Sequence, residues 1–470
     1  MDKYKKLAKN TLIFSLGSFS SKILGILLVR IYTGCMSKGE FSTVTNIQYL
    51  VNLIGPIASL SIAEGILKYG LDEKTQKSKV YTSGVIVSIL GMLAFTCLFP
   101  IIGLFKEFKP YISYMIIFLF TSEFRWVNQQ FVKVKNYLRL YAIDSIMSVV
   151  SLVIFSLLFL MGFDMGIKGY ILALILSDLS SIIFLIFFGN LQDDLKIREV
   201  DISLTKNMIQ YTLPLIPTSV LWWVVSSSDS FMVSRFISPE VNGVYAVAYK
   251  IPNLISLISI IFFRAWQMSA ITEYNSKERR KFYTKVFDSY LSIMFVASAG
   301  VMFTIKILTK IISDKEFWDS YKFAPFLIIA VLLQSYCTFL SSIYNATSQN
   351  KNSLKTSLLA AIINIVLNII LIPFFGAQGA AFATMIAYFV CFIIRLVDTQ
   401  RIAKYSISWR KIGTNLVVML IMAVVILADF PLMNLWLFIG FAFITLINIG
   451  PIQNTVNMFL KKQSIGHNNI

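Results

Sequence analysis

The sequence predicts an all-α polytopic membrane protein with about fourteen transmembrane helices. Of the 470 residues, 57% are hydrophobic, and the mean hydropathy is +0.73. The apolar stretches reach the roughly 20 residues that a helix needs to cross a bilayer. They are continuous rather than alternating, which favours helices over the strands of a barrel.

Each predicted span is an apolar stretch of membrane length between short polar or basic loops. The spans are placed near residues 10–30, 41–66, 80–103, 110–130, 140–162, 167–189, 209–230, 241–265, 283–305, 321–344, 354–375, 377–397, 411–429 and 431–450.

The basic residues predict the orientation of the chain. Of the 42 lysines and arginines, thirty fall on the side of the N-terminus and ten on the opposite side when loops are assigned alternately. Basic residues concentrate in cytoplasmic loops, so both termini are expected in the cytoplasm. The net charge of +18 then reflects topology and contact with anionic lipid, and no nucleic-acid partner is expected.

A weak internal repeat, offset by roughly 205–210 residues, resembles the duplications common in transporters. Arg30 precedes the turn Gly39–Phe41, and Arg235 precedes the similar turn Gly243–Tyr245. The predicted domains are an N-terminal six-helix lobe at 1–190, a cytoplasmic linker at 191–206, a C-terminal six-helix lobe at 207–400, and two additional helices with a cytoplasmic tail at 401–470.

Several ionisable residues fall inside the predicted spans, where a charge costs at least about 2.5 kcal/mol unless it faces water or a partner. Lys22, Asp178 and Lys250 lie deepest. Near helix ends, snorkelling of arginines towards the membrane surface is the alternative explanation. For the deep residues, a structural ion pair, such as Asp229 with Lys250, competes with a substrate or ion site.

The basic residues suit a phosphate-bearing head group, because arginine binds phosphate through paired hydrogen bonds and lysine binds it as a point charge. The candidate head-group ligands are Lys22, Arg30, Arg235 and Lys250. The candidates for ion coupling or structural pairing are Asp178, Asp229 and Glu64.

No catalytic residue, cofactor or metal site is expected. The single histidine, His467, lies in the C-terminal tail, and the four cysteines form no CxxC pair. The sequence also contains no P-loop motif for binding ATP.

The chain resembles the polysaccharide-transporter branch of the multidrug/oligosaccharidyl-lipid/polysaccharide exporter superfamily, the repeat-unit flippases of O-antigen, capsule and related glycans. The residues that carry the resemblance are the basic start into Asn10-Thr11-Leu12, the turns Gly39-Glu40-Phe41 and Gly243-Val244-Tyr245, the segment Asp314–Trp318, and Asn345 to Asn352.

The resemblance implies two six-helix lobes with two appended helices. It also implies translocation of undecaprenyl-pyrophosphate-linked oligosaccharide across the bacterial cytoplasmic membrane by alternating access. The implied partners are the lipid-linked oligosaccharide, membrane lipids, a coupling proton or sodium ion, and other polysaccharide-assembly proteins.

Three alternatives remain at the level of sequence. A multidrug/cation antiporter of the same superfamily would have an acidic and aromatic cavity, and a lipid II flippase would share the fourteen-helix arrangement. A membrane-embedded glycan polymerase or glycosyltransferase would need a sizeable outer loop with catalytic carboxylates. The basic residues at depth favour the oligosaccharide flippase.

Overall fold

The computed structural model describes residues 24–72, 74–273, 279–347 and 349–467. Within these ranges the regular secondary structure is entirely helical, which confirms the predicted all-α class. Lys22, one of the predicted head-group ligands, lies outside the described residues.

The described chain divides into two compact units. Unit 1 comprises residues 1–243 with Ile312–Asp314, and unit 2 comprises Val244–Ile311 with Lys315–Ile470. The helices before the division, in chain order, are α1 Leu24–Cys35, α2 Lys38–Ala58, α3 Ile62–Gly70, α4 Lys77–Thr96, α5 Phe99–Ile102, α6 Ile112–Val134, α7 Leu138–Ser156, α8 Gly166–Gly189, α9 Ile202–Thr212 and α10 Leu215–Phe236.

The division between the units falls inside the next helix, α11 Pro239–Ala248. The remaining helices are α12 Asn253–Glu273, α13 Arg279–Phe303, α14 Ile305–Ile312, α15 Ala324–Ala346, α16 Asn350–Ala403, α17 Trp409–Leu427 and α18 Met433–His467.

The seventh predicted span, α10, therefore belongs to the compact unit that contains α1 to α9. Trp223 of α10 donates its indole N–H to the carbonyl oxygen of Tyr49 in α2, at 2.7 Å. The predicted linker at 191–206 separates the two halves of the proposed repeat, and it stays a prediction. The compact units of the structure are instead divided after Gly243.

Every predicted span that the structure describes coincides with a helix or with two consecutive helices. By length and composition alone, ten described helices could cross a membrane, or eleven when α2 and α3 are taken as one bent span. The count of fourteen is therefore not confirmed. The helix α6 is not among the helices that are apolar enough to cross a membrane. It carries the polar side chains of Glu123, Arg125, Gln129 and Gln130.

The long helix α16 is two helices joined at Gly376, whose φ of +59° suits a residue without a side chain. Its two halves run antiparallel, because Asn364 bonds to Thr384 at 3.0 Å and Thr356 accepts from Arg395 at 2.8 Å. The segment thus folds as the pair of helices placed near 354–375 and 377–397.

Arg395 is fully buried inside unit 2. Loop assignment from the sequence places it among the thirty basic residues on the side of the N-terminus. Its five N–H donors all find acceptors. In α16 the guanidinium donates to Thr356 Oγ1 at 2.8 Å, to Ser357 Oγ at 2.8 Å and to the Ser353 carbonyl at 3.0 Å. In α15 it donates to the Cys337 carbonyl at 2.9 Å and to the hydroxyl of Ser341. This guanidinium ties α15 to both halves of α16.

We expect Arg395→Lys to lower the free energy of unfolding by about 2–4 kcal/mol, because an ammonium has three donors and leaves buried acceptors unpaired. Thermal unfolding of the purified protein in detergent measures the change. Arg401→Lys, at an exposed position of the same helix, is the control and should leave the melting temperature unchanged. Equal melting temperatures for both variants would contradict a structural role for Arg395.

Candidate substrate and ion sites

The second predicted span is broken between α2 and α3, which meet at a bend of 55°. Pro56 has no backbone N–H, so the carbonyl of Asn52 loses its helical donor. Leu60 and Ser61 adopt positive φ values of 54° and 51°, which are uncommon for residues with side chains. Such breaks expose backbone carbonyl groups and helix ends, the features that transporters use to bind ions.

A cavity of about 380 Å³ in unit 1 opens at this break, and we call it the break cavity. It is lined by Val51, Asn52, Pro56, Ser59, Ser61, Ala63, Glu64, Ser122, Glu123, Trp126 and Ser219. Among the described residues, this lining holds two carboxylates and no lysine or arginine, so it is acidic. Serine hydroxyls and the side chain of Asn52 supply further oxygen atoms.

Glu123 reaches the break because Gly55 has no side chain. A Cβ atom at Gly55 would overlap the carboxylate of Glu123, which therefore rests on the backbone of α2. Glu64 stands in the first turn of α3, where the N-terminal end of the helix favours a negative charge. Among the described residues, neither carboxylate has an ion pair.

The opposite face of α6 carries a different polar group. Arg125 binds Asp178 of α8 at 2.7 Å and the hydroxyl of Ser148 in α7 at 2.7 Å. Residues 123 and 125 lie about 200° apart around a helix. Arg125 therefore points away from the break cavity, and Glu123 has no counter-charge within the described part of the chain.

A second carboxylate, Asp144 of α7, completes this network. Its Oδ2 accepts from Gln129 Nε2 at 2.8 Å, and its Oδ1 accepts from Ser181. Asp144 is fully buried. Asp144 and Asp178 thus lie between α6, α7 and α8, and both are bonded to side chains of the protein.

Asp229 is fully buried in α10, within a polar cluster of unit 1. Its Oδ1 accepts from the backbone N–H of Ser230 at 2.9 Å. The Ser230 hydroxyl lies 2.9 Å from the side-chain oxygens of both Asn46 and Asn242, and Asn242 donates to Ser42 at 2.7 Å. This cluster joins α10 and the first turn of α11 to α2.

The predicted head-group cations are distributed over both units. Arg30 of α1 bonds to the Ser313 carbonyl and lies 3.5 Å from Asp314, with both side chains nearly half exposed. Arg235 is exposed in the last turn of α10. Lys250 is partly buried in the turn between α11 and α12, and it has no ion pair with any described residue.

Sequence reasoning placed Glu64 among the coupling candidates but gave Glu123 no role. The signal that identifies Glu123 is the pair formed by Gly55 and Pro56 in the facing helix, because Gly55 leaves space and Pro56 leaves the carbonyl of Asn52 without its helical donor. The pairing of Asp178 with Arg125 was also missed, because snorkelling was the alternative explanation for arginines near helix ends.

A family model described as polysaccharide biosynthesis protein matches residues 7–267. A Haloferax volcanii protein described as "Probable low-salt glycan biosynthesis flippase Agl15" is 21% identical over 58% of this chain and 59% of its own length. An uncharacterised membrane protein of Methanocaldococcus jannaschii is 22% identical over 85% of this chain and all of its own. The chain thus spans about three fifths of the first relative and the whole of the second.

Two solved structures share the fold. The lipid II flippase MurJ in an inward closed conformation aligns with a TM-score of 0.66 and 18% identity, over 96% of this chain and 99% of that chain. An inward-facing multidrug resistance MATE transporter aligns with a TM-score of 0.68 and 13% identity, over 83% and 96%. The expected superfamily fold is confirmed, and each of these two solved relatives is a transporter or flippase.

We expect Asp178→Asn to lower the free energy of unfolding by about 2 kcal/mol, because it leaves the Arg125 charge unpaired in a partly buried site. The double variant Arg125→Gln/Asp178→Asn should recover about half of the loss. Chemical unfolding in detergent measures both. Glu199→Gln, which breaks an exposed pair with Lys196, is the control and should change stability by less than about 0.5 kcal/mol. A double variant that is less stable than Asp178→Asn alone would contradict this account.

Proposed function

Because the chain belongs to the polysaccharide biosynthesis protein family, we propose that it is a flippase that moves a lipid-linked oligosaccharide across the cytoplasmic membrane. The observation that carries the proposal is the family match over residues 7–267. The fold shared with a lipid II flippase over 96% of this chain supports it. A catalytic role as polymerase or glycosyltransferase has no support from the relatives, which are membrane transporters where their activity is described.

The proposed cargo is an undecaprenyl-pyrophosphate-linked repeat unit of capsule, O-antigen or a related surface glycan. The two sequence relatives described above come from Haloferax and Methanocaldococcus, so the polyprenyl carrier is a variable to test. We further propose alternating access in a bacterial cytoplasmic membrane, with both termini cytoplasmic and with other polysaccharide-assembly proteins as partners. The asymmetric distribution of basic residues between alternate loops supports this orientation.

The proposed head-group ligands are Lys22, Arg30, Arg235 and Lys250. Lys250 is partly buried and has no described ion-pair partner, which leaves its ammonium available to a phosphate. The pair of Arg30 with Asp314 spans 3.5 Å and is half exposed, so it contributes at most about 1 kcal/mol. A phosphate that accepts two N–H bonds from Arg30 would displace so weak a partner.

The proposed coupling site is the break cavity, where Glu64 and Glu123 bind a proton or a sodium ion. Neither carboxylate has an ion pair with a described residue, and a bound proton or cation stabilises a carboxylate that is partly removed from water. Asp178 and Asp229, the other candidates, are already bonded within the protein. A cation bound at the bend between α2 and α3 would favour one orientation of the two half-helices.

A second candidate function, export of organic cations by antiport, is favoured by one observation. The break cavity combines two carboxylates with the aromatic ring of Trp126, which suits a cationic ligand. The family match favours the glycan, and the two functions separate in a transport assay.

In proteoliposomes, we expect the protein to flip a fluorescent undecaprenyl-pyrophosphate oligosaccharide, detected as loss of fluorescence to an impermeant quencher. Lys250→Gln should slow flipping about tenfold, because a charge-assisted bond contributes about 1.5 kcal/mol. Lys355→Gln, at an exposed position, is the control. The contrary outcome has two parts: the protein exchanges a cationic dye, and it flips neither the undecaprenyl-linked lipid nor the same oligosaccharide on another polyprenyl carrier. That result would favour the antiporter and reject the flippase.

We expect Glu64→Gln and Glu123→Gln each to abolish the part of transport that depends on an imposed sodium or proton gradient. The physical reason is that an amide neither releases a proton nor neutralises a sodium ion. The same proteoliposomes, with each gradient applied in turn, provide the measurement, and Glu199→Gln is the matched control. Undiminished gradient dependence in both glutamine variants would exclude the break cavity as the coupling site.

A further inference from the structure

Unit 2 contains a second polar cavity, of about 1000 Å³, between the first turns of α13 and the start of α17. Its lining is basic, and we call it the basic pocket. It is formed by Arg280, Lys281, Thr284, Lys285, Asp288, Ser406, Ile407, Ser408 and Lys411. The distribution of basic residues assigns this end of both helices to the cytoplasmic side.

Three hydrogen bonds fix the walls of the pocket. Lys411 donates to Asp288 Oδ1 at 2.6 Å and to Ser292 Oγ at 2.7 Å, which joins α17 to α13. The backbone N–H of Ser406 donates to Thr284 Oγ1 at 2.9 Å. The pocket is therefore built by specific bonds between two helices.

These contacts also set the charge of the pocket. Asp288 is the one carboxylate in the lining, and Lys411 neutralises it. Arg280, Lys281 and Lys285 have no ion pair with any described residue and are exposed. Three positive charges thus converge on the cavity, and no carboxylate of the described chain neutralises them.

The first turn of α17 adds hydrogen-bond donors. Ser408 occupies the N-cap position but its side chain makes no capping bond, so the N–H groups of the first turn have no acceptor from the cap. The helix continues for 19 residues, and its N-terminal end carries a partial positive charge. The combination of cations and free N–H groups suits a phosphate.

An apolar strip runs along α17 away from the pocket. Trp409 is 46% exposed beside the pocket, and Val417, Ile421 and Val424 are each more than half exposed further along the helix. Residues 417, 421 and 424 follow the helical spacing of one face. In a membrane such a face contacts acyl chains, and a tryptophan at its end sits at the level of the head groups.

We propose that the basic pocket binds the phosphate head group of an anionic phospholipid, whose acyl chains lie along the exposed face of α17. A phosphate-bearing ligand could also be a free anion, but Trp409 and the adjoining apolar face favour a lipid. The proposal does not rest on flippase activity, because binding is measured without cargo.

The test is native mass spectrometry of the full chain with added phosphatidylglycerol, zwitterionic phosphatidylcholine, or inorganic phosphate. We expect phosphatidylglycerol to bind at least about tenfold more tightly than phosphatidylcholine, since each cation near an anionic lipid contributes about 1 kcal/mol. The variant Arg280→Gln/Lys281→Gln/Lys285→Gln should lose this preference. Millimolar inorganic phosphate should not displace the lipid.

The matched control is Lys351→Gln/Lys355→Gln/Arg401→Gln, which removes three exposed charges elsewhere in unit 2 and should keep the preference. An equal loss in both triple variants would show general attraction of anionic lipid and overturn the proposal. Displacement by inorganic phosphate would overturn it in favour of a free-anion site. Thermal unfolding of both triple variants checks that they fold. Lys285→Gln alone should lose less affinity for phosphatidylglycerol than the triple variant and keep the same lipid selectivity.

Discussion

The ion pair between Arg125 and Asp178 determines which acids of unit 1 are available to a ligand. It occupies one face of α6 and fixes that helix against α7 and α8. The opposite face then presents Glu123 to the break in the second span, where the lining residues that the structure describes include no cation. Since an unpaired carboxylate in a membrane is costly, the protein must supply water, a proton or a cation at that point. In the proposed cycle, the break cavity is where a proton or a cation meets this requirement.

The break itself follows from a few residues whose effects agree. Gly55 leaves space for a carboxylate, Pro56 removes a backbone donor, and Ser61 adopts a left-handed conformation before α3 begins. Together they convert an apolar span into a site with free oxygen atoms and a helix N-terminus beside Glu64. The transport cycle that we propose needs such a site, because a gradient can drive a flippase only if the ion binds one conformation more tightly than the other.

Hydropathy and loop charge predicted the positions of the helices well, because crossing a bilayer constrains length and composition strongly. The division at Gly376 was also predictable, since a glycine in a short turn interrupts an apolar run. Side-chain pairing was not. Arg395 looked like a loop charge, yet it is fully buried with five acceptors. Asp178 was a candidate for ion coupling or for structural pairing, and its partner Arg125 could not be identified from the sequence. Which face of a helix meets which neighbour depends on tertiary packing, and a run of apolar residues carries no periodicity that reveals it.

The most direct test of the account measures the reactivity of the carboxyl groups themselves. A hydrophobic carbodiimide modifies protonated carboxyl groups inside membranes, and peptide mass spectrometry locates the modified residues. The account predicts modification of Glu64 or Glu123 that sodium ions or alkaline pH prevents, with Asp144 and Asp178 unmodified. Modification of Asp178, with both glutamates unreactive under every condition, would contradict it.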